Sequence, residues 1–310
     1  MNKKTPYFLS TNDVELISLS LNREDPSAAD EIYEVGLPRL LELYTKYGVE
    51  GTFFFTGNIA EAKPQLIEMV KNCGHEIGCH GYRHDSQEGF DNLPYEKQIE
   101  FLYKAKRVIE SIAGPIVSFR SPELRIGKDT IRALESTGFE IDSSVASQRF
   151  DGPFSYGTRN KIKWLFAPRK PYFLSYSSPF RKGKSKILEI PVSAFFSPYI
   201  GTMMRISPPI TRFIEEILFY EARYSDKPVV FLFHPIECVE GKVSGRTYYS
   251  KGLKSYFRDV LRQNLKMRNL GVEAVKLMEG VLQRAKRAGF RFISVKKYRD
   301  IILENFRGEA

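Results

Sequence analysis

The sequence predicts an α/β chain folded as one (β/α) barrel, and three observations lead there. Short β-rich apolar runs alternate with amphipathic segments along the chain, which implies a mainly parallel sheet with helical crossovers. Ionisable residues recur just past those runs, at the strand ends where such barrels carry their chemistry. With 310 residues, 42% of them hydrophobic and 27% charged, there is material for one large core and no compositional sign of disorder.

In chain order, Tyr7–Glu15 reads as a short buried strand ending in polar residues. A helix carries Val35, Leu37, Leu40, Leu41 and Tyr44 on one face, and Gly48 follows its last apolar residue as a C-cap. Gly51–Thr56 is a buried strand, Pro64–Asn72 a helix stopped by Gly74, and His75–Ile77 a third strand. The cycle repeats with a helix over Tyr95–Ala113, a strand at Val117–Arg120 halted by Pro122, a helix over Lys128–Thr137 and a strand at Phe139–Asp142. Between 150 and 200 the pattern loosens into Pro, Gly, Ser and aromatics, then recovers as a strand at Ile187–Val192. A helix at Ile210–Arg223, a strand at Val229–Phe233, a helix over Val272–Ala288 and a strand at Phe290–Ile293 close the series.

Composition narrows the classes. No apolar run approaches the length of a membrane span, and the start, Met1-Asn2-Lys3-Lys4-Thr5-Pro6, lacks the apolar stretch of a signal peptide. Three cysteines (Cys73, Cys79, Cys238) without a C-x-x-C fit reduced thiols, and together these features point to a cytoplasmic protein. The net charge is +10, concentrated in a basic, loop-rich segment at about 150–186. That segment holds Arg159, Lys161, Lys163, Arg169, Lys170, Arg181, Lys182, Lys184 and Lys186. Such an excess attracts anions or peripheral membrane contact, or is simply a solvated loop; no nucleic-acid motif accompanies it, so nucleic acid is not the expected partner. The nearby aromatics Trp164, Phe166, Tyr172, Phe173 and Tyr176 could stack on sugar rings or anchor the core.

The most informative stretch is Gly74-His75-Glu76-Ile77-Gly78-Cys79-His80-Gly81-Tyr82-Arg83-His84-Asp85, which holds three of the four histidines. Imidazoles four residues apart, at His80 and His84, can converge on one metal ion. Gly81 follows His80 where a zincin would carry its glutamate base, so the base must come from elsewhere. Hydrolysing an amide needs a polarised carbonyl, a water, a base for that water and an acid for the departing nitrogen. Asp13, Glu15, Arg120 and His234 stand at strand ends and are available for these tasks. Asp13 and Glu15, two apart on a strand, face the same side.

The ordered set of Asp13-Val14-Glu15, His80-Gly81-Tyr82-Arg83-His84, Phe119-Arg120-Ser121-Pro122 and Leu232-Phe233-His234-Pro235 resembles the polysaccharide deacetylases of the NodB-homology type, carbohydrate esterase family 4. Gly36-Leu37-Pro38-Arg39-Leu40-Leu41 and Gly51–Thr56 also look like the subgroup acting on peptidoglycan or related N-acylated glycans. The resemblance implies a single domain over 1–310, folded as a distorted (β/α)7–8 barrel. It also implies a divalent metal held by His80, His84 and Glu15, with Asp13 as base, Arg120 orienting that base and His234 as acid. The exchanged assignment, with Asp13 as ligand and Glu15 as base, stays open, because the longer glutamate would set the metal differently. Asp142 could tune His234 or merely cap the next element. Zn²⁺ is the expected metal, with Co²⁺, Ni²⁺ and Mn²⁺ also suited to this ligand set.

The expected function is a metal-dependent deacetylase removing the N-acetyl group from an amino-sugar glycan or a phosphate-linked lipid sugar. Rivals are another amide hydrolase on the same fold, such as an aminosugar deformylase or an allantoinase-like enzyme, and a catalytically silent glycan-binding protein. The silent form would have lost a ligand or the acid, whereas His80, His84 and His234 are all present.

Overall fold

A computed structural model describes residues 5–19, 23–84, 89–149, 159–241 and 262–308. Ten strands form its main sheet. They are β1 (Tyr7–Val14), β2 (Thr52–Phe55), β3 (Glu76–Cys79), β4 (Ser118–Phe119), β5 (Ile141–Asp142), β6 (Tyr172–Ser175), β7 (Ser178–Lys182), β8 (Leu188–Glu189), β9 (Val229–Phe233) and β10 (Arg291–Phe292). Their order is β9-β1-β2-β3-β4-β5-β8-β6-β7, with β10 beside the start of β1. All pairings are parallel except those of β6 with β8 and with β7. The sheet curls until its β8 and β9 sides meet: the Ser193 amide donates to the Val230 carbonyl at 3.0 Å, and the Val230 amide donates to Ser193 Oγ at 2.9 Å. The result is the expected distorted barrel, with seven staves and one weakly bonded seam.

Helices α1 (Leu37–Tyr47), α2 (Gln65–Asn72), α3 (Tyr95–Ala113), α4 (Lys128–Ser136), α5 (Pro208–Tyr224), α6 (Val272–Arg287) and α7 (Val295–Gly308) accompany the sheet. The first six lie close to their expected positions, and Gly48 does end α1. The β6–β7 hairpin and helix α7 were not foreseen, nor were the short helices Gly57–Ala62 and Gly201–Ile206. The β6–β7 hairpin sits in the segment read as loop, because Pro, Gly and Ser hide its alternation. Helix α7 follows the last strand, although Val295, Tyr298, Ile301 and Ile302 already repeat at helical spacing.

Helix α7 explains how the barrel is sealed. Leu9, Ile141, Leu188, Ile190 and Val230 form one apolar cluster with Ile293, Val295 and Tyr298, so the lower barrel is plugged by the helix under it. Each buried side chain of this size contributes about 2 kcal/mol. Glu76 fixes the plug: it accepts from Thr52 Oγ1 at 2.8 Å, the Lys296 amide at 2.9 Å and the Ser118 hydroxyl. Side-chain alternation then carries the same staves from an apolar floor to a polar mouth. On β1, Leu9 lies in the floor cluster, and Asp13 and then Glu15 follow at steps of two or four on the same face. The opposite face, with Phe8 and Val14, packs into the larger core shared with the helices. Among the described residues no helix is long and apolar enough to cross a membrane.

Candidate active site and metal centre

At the mouth, Asp13, Glu15, His80, His84, Arg120 and His234 converge. Glu15 Oε2 lies 3.4 Å from His80 Nε2 and 3.3 Å from His84 Nε2. The Asp13 carboxylate is set differently: Oδ1 takes a hydrogen bond from Arg120 Nη1 at 2.9 Å, and Oδ2 stands 3.8 Å from His80 Nε2 and 4.0 Å from His234 Nε2. The alternation expected of Asp13 and Glu15 therefore brings both acids to one place.

The two imidazoles arrive by a bent loop and not by a helical turn. His80 directly follows β3 and points into the barrel; Gly81 then adopts φ +75°, a left-handed conformation that favours glycine. The loop is pinned where the amides of Gly57 and Asn58 donate to the carbonyls of Gly81 and Tyr82, each at 2.9 Å. Glu24 Oε1 accepts from the His84 amide and from Asn58 Nδ2, both at 3.0 Å. His80 Nδ1 sits 2.8 Å from the Arg120 carbonyl, which turns Nε2 toward the acids.

Arg120 is wholly buried and fully engaged. Besides Asp13 it donates Nε to the Ser143 carbonyl at 2.9 Å and Nη2 to Ser143 Oγ at 2.8 Å, and its guanidinium lies 4.5 Å from the centre of the Phe54 ring. A lysine offers no such planar fork. Across the mouth, His234 follows β9, and the turn Pro235–Cys238 folds Glu237 back so that Oε1 lies 2.9 Å from His234 Nδ1. Glu237 is held in turn by Arg205 Nε at 2.5 Å, and Arg205 Nη1 donates to the carbonyls of Lys266 and Arg268 at 2.6 and 2.7 Å. Gly201 makes room for this arrangement, since a Cβ there would lie 2.9 Å from both Glu237 oxygens.

Electrostatics follow from these contacts. Burial works to raise the Glu15 pKa, but the imidazoles of His84 and His80 outweigh it and bring the carboxyl down to about 2. Burial works to lower the His234 pKa, yet the hydrogen bond and charge of Glu237 lift it to about 9. Burial opposes the charge on His80 too, and the nearby Asp13 leads the groups that raise its pKa.

Asp142 does not tune His234. Ile141 belongs to the inner floor cluster, so Asp142, the next residue along the strand, points to the other face. There it accepts from Ser144 Oγ and faces Glu189, its register partner on β8. Burial raises the Asp142 pKa to about 6 and that of Glu189 further, so the pair shares a proton. The carboxylate that does hold His234 is Glu237. A carboxylate three residues after a strand-end histidine is a usable sequence signal; Arg205 has none, because only folding brings it near. The aromatics beside the basic segment divide: Trp164 and Tyr172 are buried in the core, whereas Phe166 and Tyr176 are exposed, with the Tyr176 hydroxyl donating to Glu135.

The donor set fits a divalent cation. Glu15 Oε2 is buried without a hydrogen-bond partner, and the ligand atoms of Glu15, His80 and His84 all lie within 4.8 Å of one another. Two imidazole nitrogens and one carboxylate oxygen suit Zn²⁺ and its neighbours, with coordination positions left for water and substrate.

Comparison with known proteins shows what the chain is similar to. Residues 28–141 match the family model of polysaccharide deacetylases. Over 162 residues the chain is 30% identical to the peptidoglycan deacetylase of Helicobacter pylori, covering 52% of this chain and 53% of that protein. The chain thus spans about half the length of that relative. Among solved structures, the PuuE allantoinase aligns with a TM-score of 0.57 at 15% identity, over 94% of this chain and 88% of its own. A family 4 carbohydrate esterase pseudoenzyme from Bacillus anthracis aligns with a TM-score of 0.51 at 12% identity, over 95% and 66%. These structural likenesses extend to the fold and select no reaction. Residues 28–141 are thus similar to the polysaccharide deacetylases, and the chain shares its barrel fold with these solved structures.

Proposed function

We propose that this protein is a metal-dependent N-deacetylase acting on an amino sugar within a glycan, with peptidoglycan-type strands as the leading substrate class. The observation that carries this reading is the orphaned, buried Glu15 Oε2 between two imidazole nitrogens, with a base and an acid candidate on either side. His80, His84 and Glu15 would hold the cation, which supplies Lewis-acid polarisation of the amide and acidifies water. Asp13, one oxygen fixed by Arg120 and the other turned to the mouth, takes the proton from the attacking water. His234, protonated at neutral pH by its raised pKa, gives a proton to the departing amine. Glu237 keeps the His234 ring turned so that Nε2 faces the reacting groups. The Asp13 oxygens lie farther from the imidazoles than Glu15 Oε2, which supports Glu15 as ligand and Asp13 as base.

Product analysis on a panel of N-acetylated sugars and glycan oligomers tests the reading. Release of acetate with a matching free amine is the expected result. Formate or ammonia would instead identify a deformylase or a ureide hydrolase, and metal binding without any product would identify a silent glycan binder.

A further inference from the structure

We propose that the floor end of the barrel is a docking surface for an anionic bilayer, centred on the segment Arg181–Lys186 and taking phosphate-bearing lipid headgroups. Arg181, Lys182, Lys184 and Lys186 are all exposed, and none has an acidic partner among the described residues. Several lysines elsewhere on the surface are ion-paired: Lys46, Lys63, Lys97 and Lys276 each reach a carboxylate within 2.7 Å. The acids closest to the cationic segment are already engaged. Glu135 accepts from Tyr176 and from the Lys186 amide, and Glu140 pairs with Arg299.

The position of these cations excludes a role at the reacting sugar. Lys186 immediately precedes Ile187, whose carbonyl accepts from Leu174 just before β8 begins, and strand starts form the floor, whereas Asp13, His80 and His234 lie at strand ends. Between the segment and α7 lies a groove of about 410 Å³, lined by apolar Phe173, Leu188 and Leu303, by the cations Lys184 and Lys186, and by Arg299, whose charge Glu140 in the same groove already meets. Ammonium groups alone would take any anion; an apolar lining beside them selects an anion joined to hydrocarbon. Lysines and arginines gathered in one exposed segment also respond to a sheet of headgroup charge as no single small anion would. β7 is the sheet's outer strand, so its cations must also discourage edge-to-edge pairing, and the test separates that role from docking.

The test is flotation of the full chain with vesicles of phosphatidylcholine alone and of phosphatidylcholine mixed with phosphatidylglycerol. The wild type should float only with the mixed vesicles and be released by added salt. Partition should fall roughly fivefold per cation removed, so Arg181→Gln/Lys182→Gln/Lys184→Gln/Lys186→Gln should no longer float. Lys184→Glu, a single exposed change, gives the same direction if the quadruple variant misfolds. Both variants should keep wild-type metal binding and wild-type turnover of a soluble substrate. No flotation of the wild type on mixed vesicles overturns the proposal. So does equal flotation of wild type and variants, including a variant that aggregates while still binding, which would mark the cations as edge protection. Release by inorganic phosphate beyond that by chloride at matched ionic strength would reveal a free-anion site and also overturn it.

Discussion

Glu15 and Glu76 are glutamates at opposite ends of the same barrel, and their surroundings are opposite. At the floor, Glu76 takes two hydroxyl donors and a helix amide, and burial raises its pKa. At the mouth, Glu15 keeps one oxygen without a donor, and two imidazoles pull its pKa down to about 2. A carboxylate whose acceptors are met ties elements together; one that is buried and unmet is a place for a cation. The floor thus gives the barrel its seal, and the mouth leaves its acids free to act.

Several substitutions would break or sharpen that division. The largest effect is expected from Asp13→Asn, which should lower kcat by about 10²–10⁴ while metal content, measured by atomic absorption, stays at the wild-type level. Full activity in that variant would remove Asp13 as base. Glu237→Gln should lower kcat more modestly and shift the alkaline limb of the pH–rate profile. His234 titrates at about 9 because of Glu237, so without that charge the acid should lose its proton nearer the ordinary histidine value of about 6.5. An unmoved limb would show that Glu237 does not govern His234.

Glu76→Gln should lower unfolding stability by about 1–3 kcal/mol, read from chemical denaturation, while leaving metal affinity unchanged. Loss of metal there would erase the distinction between floor and mouth. The smallest effect concerns the Asp142–Glu189 pair. Burial raises both pKa values above those of the unfolded chain, so the folded state binds more protons. Stability from this pair is full below about pH 4 and declines as pH rises through the folded-state values. Glu189→Gln mimics the protonated form and should stabilise the protein at pH 8 by an amount on the order of 1 kcal/mol, with no gain near pH 4. A gain that is independent of pH would contradict the shared proton.

Much of the mouth was readable in the sequence because it rests on local rules. Spacing brought out His80 and His84, and strand alternation placed Asp13 beside Glu15. The same alternation, applied to Ile141 and Asp142, would have sent Asp142 away from His234. Glu237 lay in plain view, three residues past the histidine. Arg205 was not legible, since its partners lie 32 residues away and beyond. The β6–β7 hairpin escaped because its short strands mix serine, proline and aromatics, and only antiparallel pairing with β8 makes sense of them. The basic segment shows how composition misleads: its charge was legible, but its end of the barrel was not.

Calorimetric titration of Zn²⁺ into metal-stripped wild type, Glu15→Gln and Asp13→Asn tests the metal centre most directly. One equivalent should bind to the wild type and to Asp13→Asn, with affinity falling at least about tenfold in Glu15→Gln. Undiminished binding by Glu15→Gln, or loss only in Asp13→Asn, would contradict the assignment of Glu15 as the third ligand.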